Sequence, residues 1–136
     1  MILYENGFIK LDYDTSTCIL CATCPDIQEY VLLQIHKAFT TIKETIANHD
    51  IKKLILDCRN TTIGVSEEDY AMVIFQFVYD LNSTPLQQFA RILTTDAAKE
   101  SKLRGYAREM GAEIKPEFAY KNFLTKAEAE AWLKEK

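Results

Sequence analysis

Glycine and proline are scarce in this chain, at four and three among 136 residues. So few breakers leave no place for a proline-rich tract, a flexible linker or a low-complexity segment, and no internal repeat stands out. Histidine occurs twice, as His36 and His49, and neither has a cysteine or second histidine at a ligand spacing, so no metal site is expected. No apolar run approaches the roughly 20 residues of a spanning helix. The opening MILYENGFIK lacks the basic start and apolar stretch of a signal peptide. Positive charge is not in excess either; the net charge of −4 gives no general attraction to nucleic acid or anionic lipid. GxSxG, Walker A and GxGxxG strings are absent. These absences point to a soluble, cytoplasmic protein with no cofactor, no membrane span and no nucleic-acid partner, and they give no set of groups for catalysis.

Apolar residues are plentiful, at 48%. Together with the length, that predicts one domain, residues 1–136, around a single core. Gly7 to Tyr13 and Cys18 to Cys24 read as two strands joined by the polar turn Asp14-Thr15-Ser16-Thr17, an antiparallel hairpin. Ile9, Leu11 and Tyr13 alternate with Lys10 and Asp12, so the first strand has one wet face. Asp26 and Glu29 read as a helix start, followed by Val31, Ile35, Ala38, Phe39, Ile42 and Ile46 at helical spacing and a stop at Asn48-His49-Asp50. Leu54 to Leu56 is a short buried strand. Ser66 to Leu81 is a second helix, ended by Asn82-Ser83-Thr84-Pro85. Phe89 to Thr94 is a strand, and Ala97 to Met110 a helix with Gly111 as its stop. Glu117 to Phe123 is a last strand, and Thr125 to Lys134 a final helix with Thr125 and Glu128 as its capping box. The order β-β-α-β-α-β-α-β-α implies an α/β domain on a five-stranded mixed sheet that opens with a hairpin.

Cys18, Cys21 and Cys24 form CxxCxxC, a spacing that on a loop suggests an iron–sulfur cluster. On a strand, Cys21 faces away from the other two, which lie about 20 Å apart at ~3.3 Å per residue. The three are therefore expected to be core residues, and Cys58 ends another strand. His36 is expected in solvent. The carboxyl ends of the strands carry Asp57, Cys58, Arg59, Asn60, Thr61 and Thr62, and Thr94, Thr95 and Asp96. Ligands collect at this edge of parallel sheets, whereas ordinary loop chemistry with Asp96 as a helix cap is the plainer reading. Asp57, Thr94 or Thr95, and Lys121 imitate the constellation of a phosphoacceptor receiver domain, but the acidic pair after a first buried strand is missing.

Tyr70 to Leu81 reads YAMVIFQFVYDL, in which Gln76 and Asp80 are the polar residues. Ile74, Phe77, Val78 and Leu81 can face a sheet, and Met72, Phe75 and Tyr79 form a second apolar stripe. That stripe is expected to be buried by a neighbouring helix, to wall an apolar pocket, or to meet a second copy of the chain. The third helix carries Lys99, Lys102, Arg104 and Arg108 against Glu100 and Glu109, which reads as a solvated face.

The element order and the strings FIKLDYD, KKLILD and NFLTKAEAEAWL resemble the SpoIIAA-like family of STAS domains, in particular its small stand-alone bacterial members, whose fold is grouped with the CRAL-TRIO lipid carriers. The resemblance implies a SpoIIAA-like fold and a non-enzymatic, regulatory role through protein contacts, with another regulatory protein as partner; the CRAL-TRIO likeness implies the alternative of an apolar or lipid-like ligand. In the family's anti-sigma antagonists a serine or threonine about nine residues beyond the central strand's aspartate is phosphorylated. Ser66 lies nine positions after Asp57, so the resemblance makes it the candidate phosphorylation site. Its flanks, Val65 and Glu67-Glu68-Asp69, depart from the family's pattern. Three acids in a first helical turn favour a serine cap and repel a phosphate. The combined expectation is a homodimer with Met72, Phe75 and Tyr79 at its two-fold contact.

Overall fold

The computed structural model describes residues 1–28, 32–110 and 116–135. The elements run β1 (Ile2–Glu5), β2 (Lys10–Asp14), β3 (Ile19–Thr23), β4 (Ile27–Gln28), α1 (Leu32–Asn48), β5 (Lys53–Asp57), β6 (Ile63–Gly64), α2 (Glu67–Asp80), a 3-10 turn (Leu81–Ser83), β7 (Gln88–Ile92), α3 (Ala97–Met110), β8 (Ala119–Phe123) and α4 (Lys126–Lys134). The main sheet has six strands in the order β1-β2-β3-β5-β7-β8. Its first two pairings are antiparallel and the remaining three parallel. The α/β class and the opening hairpin follow the sequence expectation. The five-strand count does not, because β1 adds an edge strand.

MILYENG carries no clear two-residue alternation, which hid β1. Asn6 makes the strand–turn–strand: its side-chain oxygen accepts from the N–H groups of Phe8 and Ile9 at 2.7 and 2.9 Å. The first expected strand therefore starts at Lys10 rather than Gly7. Cys18 also moves out of its expected strand. It is exposed, in the left-handed region at φ 61° that closes the β2–β3 turn. Asp26 does not start a helix. Its carboxylate accepts from the Thr62 N–H at 2.8 Å, beside a second small ladder in which β4 pairs with β6. Glu29, Val31 and Gly111 lie outside the described residues.

The registers place Leu20, Leu54 and Phe89 side by side on one face, with Ala22, Leu56 and Arg91 the next row along the strands. This face packs against α1, α2 and α3. Ile35, Ala38, Phe39, Ile42 and Ile46 of α1 are all buried there, and the Phe39 and Phe77 rings stack at 4.6 Å. Cys21, Ile55, Ala90 and Ile92 point to the opposite face, where α4 seats Ala129 and Leu133. Thr125 caps α4 as expected: its hydroxyl oxygen accepts from the Glu128 N–H at 3.2 Å.

Candidate functional site

The carboxyl edge of the parallel strands is built mostly of side chains that hold their own loops. Asp57 ends β5 and receives Arg59 through Nε at 3.0 Å and Nη2 at 2.7 Å. Burial alone would raise the Asp57 pKa; the Arg59 hydrogen bonds and charge overcome it and hold the carboxyl below its usual value. Thr61 is buried and donates to the Cys24 carbonyl at 3.1 Å. The Thr62 hydroxyl accepts from the Gln28 amide at 3.1 Å. Asp96 accepts from the Lys99 N–H at 3.1 Å and starts α3, the plainer of the two roles expected for it. Asn60 and Thr95 are at the surface of the same loops.

Thr94 turns inward, and the centre of this edge lies beneath it. Arg91, in the middle of the apolar string QFARI, is 1% exposed. Glu100, on the first turn of α3, is 4% exposed. They pair at 2.6 Å between Arg91 Nη2 and Glu100 Oε1. Glu100 Oε2 accepts from Arg91 Nη1 at 3.3 Å, from the Tyr70 hydroxyl at 3.2 Å, and from both the N–H and the hydroxyl of Thr94 at 2.9 and 2.8 Å. Arg91 also donates to the Tyr70 hydroxyl at 2.9 Å and, through Nε, to the Tyr120 hydroxyl at 3.0 Å. One network thus joins α2, β7, α3 and β8. The expectation that Glu100 belongs to a solvated face is corrected: its carboxylate is inside, while Lys102, Arg104 and Arg108 are exposed.

Burial disfavours every charge here, and the geometry reverses that for the pair. Burial would raise the Glu100 pKa, but Arg91 and Thr94 bring it below the ordinary glutamate value. Burial works against the Arg91 charge, and the Tyr120, Tyr70 and Glu100 oxygens raise its pKa well above normal. The Tyr70 and Tyr120 phenols are pushed up by burial despite the neighbouring guanidinium. Cys58 lies beside this network. Its hydrogen bond with Cys24, followed by its burial, pushes its thiol pKa far up, so the Cys58 sulfur is an inert thiol.

Members of the receiver-like trio are engaged with other partners, Asp57 with Arg59. Thr94 is committed to Glu100 beneath α3, and the Lys121 amine lies 5.5 Å from the centre of the Phe123 ring. Among the described residues, no group of three or more His, Cys, Asp or Glu could hold a metal ion. His36 and His49 are exposed.

Ser66 is exposed and extended at φ −64° and ψ 162°, and its hydroxyl oxygen accepts from the Asp69 N–H at 3.1 Å. That is the geometry of a helix cap. The second stripe of α2 divides. Met72 and Tyr79 are each 58% exposed, whereas Phe75 is 9% exposed and sits in the main core. Phe75 is therefore corrected from the interface set, because the Tyr70–Val78 stretch is buried on more than one side. On the α4 face, an open cleft of about 340 Å³ is lined by Asp12, Thr15, Cys21, Lys126 and Glu130 among others. Its charged walls differ from the mainly apolar lining of a lipid-like ligand's pocket.

Comparison of the chain with protein-family models, with curated proteins and with solved structures found no match in any of the three. No helix of the described residues is long and apolar enough to cross a membrane.

Proposed function

We propose that this chain is a non-enzymatic, STAS-like interaction module, and that its first partner is a second copy of itself. The observation that carries the reading is the exposure of Met72 and Tyr79 on α2, whose other apolar residues fill the core. These two side chains lie seven residues apart, about 10 Å along one helix face. Apolar positions of this kind mark contact surfaces, and symmetric dimers are the commonest way of covering them. The role fits an edge whose polar side chains are largely committed to internal bonds. Sedimentation tests it. Wild type is expected as a dimer, and a Met72→Lys/Tyr79→Lys variant as a folded monomer. A wild-type monomer at high protein concentration would reject the reading.

A further inference from the structure

Glu100 occupies a receptor for a carboxylate, built by residues from other elements. Arg91 offers two N–H groups in the fork geometry that matches a planar carboxylate. Thr94 adds a backbone N–H and a hydroxyl, and Tyr70 a second hydroxyl. Arg91 is 1% exposed and Tyr70 1% exposed, and Tyr120 fixes the guanidinium from its far side. The receptor sits at the carboxyl edge of β7, where open α/β sheets bind ligands.

The helix that delivers Glu100 has little else to hold it. Among the described side chains of α3, Glu100 and Leu103 are buried and Lys99 and Tyr106 half-buried. The helix is therefore a strap whose buried seat is one carboxylate and one leucine.

We infer that residues Arg91, Thr94 and Tyr70 form a carboxylate-binding site at the sheet's carboxyl edge, that Glu100 is its built-in occupant, and that α3 is the strap that seats it. Vacating the receptor leaves a buried guanidinium without its counter-charge. A small free carboxylate then replaces the missing group. The inference does not rest on the α2 contact.

Chemical rescue tests it on the full chain. The Glu100→Ala variant opens the space of a carboxylate, and its thermal midpoint is expected to fall. Acetate is expected to restore several degrees with saturation, whereas chloride at the same ionic strength does not. The Glu100→Gln variant, which keeps the space filled, is not expected to respond, nor is the Glu100→Ala/Arg91→Met pair, which lacks the cation. Wild type, already occupied, keeps its midpoint in acetate. If Glu100→Ala does not fold in chloride, folding in acetate alone supports the site, and failure in both salts overturns it. Equal responses to acetate and chloride overturn it, and so does an acetate response that survives loss of Arg91. Inorganic phosphate acting as well as acetate would overturn the assignment of a planar carboxylate as the ligand.

Discussion

Helices α2 and α3 lie side by side on one face of the sheet and are held there by opposite means. The α2 helix buries Tyr70, Ala71, Val73, Ile74, Phe75, Phe77 and Val78. Its attachment is non-directional and spread over many contacts. The α3 helix is polar along most of its length and is seated by Glu100 and Leu103. Its attachment depends on a few aligned hydrogen bonds around one buried ion pair. Apolar burial tolerates loss of a contact in proportion to area. A buried pair fails abruptly, because removing one partner strands the other.

The largest expected effect comes from introducing a charge into the apolar seat. Phe75→Glu should abolish cooperative folding, since it places a charge among the apolar side chains of the main core. A soluble Phe75→Glu protein with native near-UV circular dichroism would contradict the placement of Phe75 in the core. Next comes the polar seat. Arg91→Met should cost about 3–5 kcal/mol in urea unfolding by leaving Glu100 buried and unpaired. Adding Glu100→Leu should return much of that loss, because two apolar groups need no partner. A double variant as unstable as the sum of the single variants would show that the pair is not a unit.

Acid separates the two helices further. The Glu100 pKa is lowered on folding, so its contribution is present above the unfolded glutamate value of 4.5 and is lost as pH falls through the lower folded value. Wild type should lose stability over that window, and Glu100→Gln should lose less over the same range. Identical acid limbs in the two proteins would remove Glu100 from the account. The smallest effect belongs to the start of α2. Ser66→Ala should cost about 1 kcal/mol through loss of the cap. A change near zero in thermal unfolding would mean that the Ser66–Asp69 bond contributes nothing, and stoichiometric phosphate on Ser66 in protein from its own host would restore the switch reading.

The same contrast decides what could be read in advance. Apolar spacing in Ile35 to Ile46 and in Ile74 to Leu81 gave α1 and α2 their buried faces directly, and the Ser66 and Thr125 caps were visible in local strings. The polar seat was not. Arg91 stands in QFARI and Glu100 in AAKESK, and at this sequence separation a buried pair looks the same as two surface charges. The signal available was a lone arginine within a strand flanked by Phe89, Ala90 and Ile92, since charge in a strand buried on both faces demands a partner. The edge strand β1 and the β4–β6 ladder escaped because they are short and because Asn6 and Asp26 set them through side-chain bonds rather than periodicity.

Native-state hydrogen exchange on wild type and Glu100→Gln most directly tests the claim that a carboxylate seats α3 while apolar burial seats α2. The account predicts that α3 amides lose protection in the variant by a much larger factor than α2 amides, with α1 following α2. A uniform loss across α1, α2 and α3 would contradict it, because Glu100 would then stabilise the whole domain without holding its own helix in particular.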